Sequence, residues 1–145
     1  RGRRPPPAMA DRRWWRRPPP PLIITDHVPE YRATIAKYVQ PEDRVLELGC
    51  AGGITTDRLA QHCEVAVGAD RAEHCITMAR KRFPAVRFEV IDADDVASVL
   101  RLDIPFNKLY VDLSGSRPPG VVLDCVESYS AVFDLDLVVI KNEPL

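Results

Sequence analysis

Apolar and polar positions along the chain fall into two textures. Before residue 22 no period is visible, whereas from Asp26 onward short apolar runs alternate with stretches in which apolar residues recur every three or four positions. Tyr31, Ile35 and Tyr38 or Val39 keep helical spacing over 29–39, with Asp26 or His27 placed to cap the helix and Pro41 to end it. Buried strands are expected over 44–48, 64–69, 86–91, 108–111 and 135–140. Between them the spacing predicts helices over 55–62, 72–83, 95–102 and 121–132. In the second of these Ile76, Ala79 and Phe83 point inward and Pro84 stops the element. Strands alternating with helices require right-handed crossovers, so the expected class is α/β, a mostly parallel sheet with helices on both faces.

Composition changes the picture mainly at the front. Half of the 14 prolines lie in residues 1–21, with Trp14 and Trp15 set among arginines. Such a stretch cannot build a core and is expected to be extended. The division is therefore an Arg/Pro-rich arm, 1–21, and a single globular domain, 22–145. Arg1 to Arg17 holds seven arginines against Asp11, while the remainder has 13 basic and 20 acidic residues. The domain itself is thus not a basic nucleic-acid binder, and any RNA or multi-subunit partner would be met through the arm, by stacking on tryptophan and pairing of arginine with phosphate. The same arm fits the remnant of an acid-poor targeting segment, or an adventitious stretch before an internal start at Met9. Cys50, Cys63, Cys75 and Cys125 are scattered and form no Cys-x-x-Cys pair. Reduced thiols inside a cell, in cytoplasm or an organellar matrix, are the expectation. No apolar run approaches the ~18 residues of a membrane span. His27, His62 and His74 have no ordinary zinc-ligand spacing with the cysteines apart from the adjacent His74 and Cys75, so no metal site is expected.

The sharpest motif is Val45-Leu46-Glu47-Leu48-Gly49-Cys50-Ala51-Gly52-Gly53, an apolar strand running into a loop of small residues and then a helix. Backbone can approach a ligand closely there only if side chains stay small. A dinucleotide fingerprint starting at Gly49 would need glycine at 51 and glycine or alanine at 54, where Ala51 and Ile54 stand, and no Gly-Lys-Ser/Thr of a P-loop is present. A nicotinamide-binding protein is disfavoured accordingly. A second element is Asp70, at the end of the second long strand and 17 residues beyond Gly53, where a carboxylate can accept from both hydroxyls of a ribose or cap the helix that follows. The third is Ile91-Asp92-Ala93-Asp94-Asp95, in which Asp92 faces ligand and Asp94 or Asp95 caps a helix.

These three elements, in this order, resemble the class I S-adenosylmethionine-dependent methyltransferases. The resemblance implies a Rossmann-like core that binds S-adenosylmethionine, with Glu47, Gly49, Ala51 and Gly53 around the methionine and ribose parts, Asp70 on the ribose, and Asp92 and Ala93 at the adenine. It also implies two further strands after the fifth, so the core is expected to lack the last two of the usual seven. Asp112, after the strand over 108–111, and Lys141, after the strand over 135–140, would share the reactive rim. They are similar to part of the Lys-Asp-Lys arrangement of ribose 2′-O-methyltransferases, including fibrillarin-like ones, in which a lysine among carboxylates orients and deprotonates a hydroxyl. Lys37 stands at a different spacing from that family's upstream lysine and is expected on a solvated helix face. The Asn/Asp-Pro-Pro-Tyr/Phe segment of amino-group methyltransferases is missing at 112–115. The function implied is methyl transfer to an oxygen or nitrogen nucleophile, with RNA or a small molecule as acceptor. The competing expectation is a non-catalytic methyltransferase-like component of an assembly. Cys50, Tyr129 and Phe133 are expected to be core residues.

Overall fold

The computed structural model describes residues 18–113, 115 and 117–142. The elements are β1 (Leu22–Thr25), α1 (Val28–Tyr38), β2 (Arg44–Leu48), α2 (Ile54–Ala60), β3 (Val65–Asp70), α3 (Glu73–Arg82), β4 (Arg87–Val90), α4 (Val96–Leu100), β5 (Lys108–Asp112), α5 (Pro119–Val132) and β6 (Leu137–Lys141). Every expected helix and strand is present, with ends displaced by up to two residues.

The strands form one sheet in the order β1-β6-β5-β2-β3-β4, and every pairing is parallel. Period-2 alternation sends the strand side chains to two cores. Leu46, Val67, Leu109 and Val138 face α4 and α5, where Val99, Val122, Val126 and Tyr129 cover them. Val45, Ala66, Tyr110 and Val139 face Tyr31, Ile35 and Leu59 of α1 and α2. Farther along this side, α3 lays Ile76 and Ala79 on Phe88. Burial on both faces explains why these strands read as unbroken apolar runs rather than alternating ones.

The hydrophobic pattern did not announce β1. Leu22–Thr25 follows the proline run directly, too short to show a period. Its partner is β6, with Leu22 opposite Val138 and Thr25 opposite Lys141. The Val138 amide donates to the Pro21 carbonyl at 2.9 Å, the Thr25 hydroxyl donates to the Ile140 carbonyl at 3.0 Å, and the Asn142 amide donates to Thr25 at 2.8 Å. Long-range pairing, not local propensity, makes this strand.

Between β2 and β5 the chain reverses its order of strand addition. Sequential strands run outward one way from β2 through β3 to β4, and the other way from β5 to β6. Such a reversal leaves a crevice at the carboxyl ends of the two central strands, because their following loops depart in opposite directions. The amino ends are closed instead by a network around the buried Lys108 and Asp43: Lys108 Nζ lies 2.9 Å from both Asp43 and the exposed Asp136, and Asn107 donates to the same two acids. That network fixes the starts of β2 and β5, leaving the opposite end open.

Candidate cofactor site

A cleft opens at the carboxyl ends of β2, β3, β4 and β5. Its walls are Gly49, Asp70, Arg71, Ile91, Ala93, Asp112, Leu113 and Arg117, and its enclosed part holds about 80 Å³. Four of the nine residues singled out from sequence, Gly49, Asp70, Ala93 and Asp112, therefore meet in one place.

The small-residue loop is shaped by its own neighbours. Gly49 has φ +79°, and a Cβ on it would run into the main-chain carbonyl of Asp112. Gly53, at φ +88°, would place a Cβ 2.5 Å from the Phe88 ring. The expectation that these glycines spare a ligand accordingly acquires a second cause, packing within the protein. Ala51 also has positive φ, +45°, and is exposed above the cleft. It holds that geometry by donating its amide to Asp70 Oδ2 at 2.9 Å. Asp70 Oδ1 accepts from the Ala72 amide, also at 2.9 Å. One carboxylate thus ties the loop after β2 to Ala72, the N-cap residue of α3, without itself capping the helix amides, which is compatible with a ligand role. Among the described residues each oxygen accepts a single hydrogen bond, which leaves it a lone pair.

Glu47 lies beneath the loop rather than in the wall. It is 1% exposed, with Oε2 accepting from the Tyr31 hydroxyl at 2.9 Å and Oε1 from Thr56 at 2.7 Å. Burial pushes its carboxyl up to about 7, against the opposing pull of those two hydrogen bonds. It joins α1 and α2 to the strand that carries the glycine loop. Cys50 packs as a small apolar residue against Ile76, Ala79 and Phe88, and burial raises its thiol far above the usual range.

At the β4 end the acids divide their work. Asp95 is the N-cap of α4, accepting from the Ser98 amide at 3.1 Å. Asp94, the other capping candidate, turns to Arg117. Arg117 Nη1 lies 2.6 Å from Asp94 Oδ1, while Nη2 lies 2.9 Å from Asp92 Oδ1. Asp92 is held below the usual carboxylate range by the Asp94 amide N–H and then by Arg117, in spite of partial burial. Sequence reasoning missed Arg117, since a single arginine in a Ser/Gly/Pro loop has no spacing to recognise. Nor was the second layer visible: the Tyr129 hydroxyl donates to the Ala93 carbonyl at 2.9 Å from α5, and Tyr129 stacks on Phe133. Both residues are core contacts as expected, and Tyr129 also fixes the segment that lines the cleft.

Asp112 and Lys141 are paired in register on β5 and β6, and Lys141 Nζ stands 3.1 Å from Asp112 Oδ1. Asp112 forms part of the wall, whereas Lys141 is 8% exposed and holds it from the neighbouring strand. Lys37 is exposed on α1, with its ammonium over the Tyr38 ring. His74 and Cys75 contact each other at 3.5 Å on the surface of α3.

No family model matches the chain. Over 61 residues it is 41% identical to trans-aconitate 2-methyltransferase of Variovorax paradoxus, a match covering 40% of this chain and 24% of that one. The chain thus spans about a quarter of that relative's length. Among solved structures, a dimethyladenosine transferase from Plasmodium falciparum superposes with a TM-score of 0.59 at 18% identity, over 81% of this chain and 42% of the other. A SAM-dependent methyltransferase from Thiobacillus denitrificans, in complex with S-adenosyl-L-homocysteine, does so with a TM-score of 0.55 at 17% identity, over 78% and 48%. In strand order, in the crevice between β2 and β5 and in these neighbours, the chain has the Rossmann-like fold of the class I S-adenosylmethionine-dependent methyltransferases.

Proposed function

We propose that the cleft binds S-adenosylmethionine and that the protein transfers its methyl group to an oxygen or nitrogen nucleophile. The observation that carries this reading is the convergence of Gly49, Asp70, Ala93 and Asp112 on one crevice at the strand reversal. The residues suit the cofactor in kind. Asp70 keeps acceptor capacity for two ribose hydroxyls, side-chain-free backbone lines the cleft at Gly49, and the Ala93 backbone is braced by Tyr129 for a flat ring. When bound, the cofactor supplies an electrophilic methyl on a sulfonium centre. Asp112 is then the group nearest the acceptor, orienting its hydroxyl or amine and drawing on its proton, with Lys141 as a positioning residue that keeps the carboxylate aimed. Glu47 supports the loop from below.

Of the similar proteins, one is named for trans-aconitate, a carboxylate, and the other for dimethyladenosine. An adenosine amine can donate to a carboxylate at the reactive rim, whereas an anionic carboxylate acceptor has no proton to offer Asp112 and would be repelled by it. Calorimetric titration of the folded chain with S-adenosylmethionine and S-adenosylhomocysteine tests the reading. One saturable site is expected, weakened in Asp70→Ala by roughly 1 to 3 kcal/mol, the range for hydrogen bonds to a charged group. Unchanged affinity in a folded Asp70→Ala protein would remove the ribose assignment.

RNA as the acceptor, or an assembly role without catalysis, rests on the arm, most of which lies outside the described residues. Deleting 1–17 leaves the Pro21 carbonyl and β1 in place, so the domain survives the test. If the arm holds phosphates, RNA retention drops and its salt dependence flattens while cofactor affinity stays the same. Equal retention with and without the arm dismisses it.

A further inference from the structure

The family resemblance puts Asp92 at the adenine, where its carboxylate would accept from the exocyclic amino group, yet Asp92 is not part of the cleft wall; Arg117 is. The Arg117 guanidinium donates to Asp92 Oδ1 at 2.9 Å and to Asp94, and the Asp94 amide takes a further position on the same Asp92 oxygen. The Arg117 side chain is only 11% exposed, against 41% and 68% for the two acids. It therefore lies on the inner side of the pair, toward the cleft. The cleft has an enclosed volume of about 80 Å³. Small-molecule sites usually enclose ~300 to 1,000 Å³. An adenosyl ligand seated fully in this open cleft must displace part of its wall, and most of the wall is strand end or braced backbone. The Arg117 backbone is itself anchored, its amide donating to Leu113 at 3.0 Å, whereas among the described residues its guanidinium is hydrogen-bonded to the half-buried Asp92 and the exposed Asp94.

We propose that Arg117 is a specificity-determining residue whose guanidinium occupies the base-recognition carboxylate in the free protein, so that an adenosyl ligand binds by exchanging its own amino donor for Arg117 at Asp92. This rests on the cofactor reading. The ligand exchanges one N–H donor for another, which leaves Asp92 paired in both states. A base edge that presents only acceptors cannot make the exchange. The apparent affinity is the intrinsic affinity reduced by the fraction of molecules whose guanidinium has left.

The experiment is calorimetric titration of S-adenosylhomocysteine into wild type, Arg117→Ala and Asp94→Asn at low and high salt, with thermal melts to establish that each is folded. Arg117→Ala should bind more tightly, by roughly 5-fold or more, the low end of ordinary coupling between two equilibria. Asp94→Asn, which loosens one of the two holds at an exposed position, should gain less. Salt should raise the wild-type affinity by weakening the ion pairs and leave Arg117→Ala comparatively unmoved. A brace with a purely structural role would give the opposite sign. A folded Arg117→Ala protein that binds no better than wild type overturns the exchange and leaves the cofactor reading standing. Absence of binding in wild type and both variants overturns the cofactor reading, and the exchange with it.

Discussion

The α-carbon of Gly49 abuts the main-chain carbonyl of Asp112, so the loop after β2 and the end of β5 touch at the point where the sheet reverses. Contact between these two residues brings the proposed cofactor loop and the proposed reactive carboxylate into one cleft. It also makes Gly49 irreplaceable for a reason independent of any ligand.

Gly49→Ala should therefore cost about 1 to 3 kcal/mol of stability, the usual cost of overpacking, with positive φ adding to it. A methyl group added at Gly52 would meet nothing within 4 Å, so Gly52→Ala should stay within ~0.5 kcal/mol of wild type. Urea denaturation of both variants reads the difference. Equal stability of the two would show that the close approach at Gly49 is absent in solution.

Glu47 makes a pH prediction. Its carboxyl is raised from 4.5 to about 7, chiefly by burial. Between those values the folded chain binds a proton that the unfolded chain has released, so this group's contribution to stability falls as pH rises through that window. Below the unfolded value both states are protonated and the contribution is fully present. The lowered carboxyls Asp43 and Asp92 act on the acid side of the window and do not offset it. Glu47→Gln can still accept from Tyr31 and donate to Thr56, so it should remove the decline and be the more stable form at an alkaline pH of about 8, where the native carboxylate would be buried and charged. Urea midpoints measured across the window check this, and an unaltered slope in Glu47→Gln contradicts the assignment.

Asp112 and Lys141 should behave as a unit. Replacing either with Ala is expected to lower methyl transfer to a responsive acceptor pool by about 10² to 10⁴-fold, the range for general acid–base assistance. The double variant should add little to either loss. Cofactor affinity should change far less than turnover. If both variants instead lose stability and cofactor binding together, without a selective loss of turnover, the pair is a structural ion pair only.

The fold was legible because both faces of the sheet are buried: strands such as Lys108–Asp112 and Leu137–Lys141 show as apolar runs, and Pro41 and Pro84 punctuate the chain between elements. β1 was not legible, since four residues after a proline run become a strand only through β6, more than a hundred positions away. In the site, Gly49 and Asp70 were visible because a loop and an acid at fixed distances from strand ends constrain each other. Glu47 shows the limit of that inference, for the strand period fixes its face but not that Tyr31 and Thr56 claim both its oxygens. Arg117 reaches the cleft, and Tyr129 the Ala93 carbonyl behind it, from the loop and helix after β5, by tertiary contacts that leave no spacing in the sequence.

An adenosyl cofactor at the carboxyl ends of the central strands is tested most directly by following backbone amide resonances during titration with S-adenosylhomocysteine. Saturable shifts are predicted at Gly49, Ala51, Arg71, Ala93 and Leu113, with Asn107, Lys108 and Asp136 at the opposite end of the sheet unmoved. Shifts confined to that opposite end, or no shifts at a saturating excess of ligand, would contradict a cofactor site there.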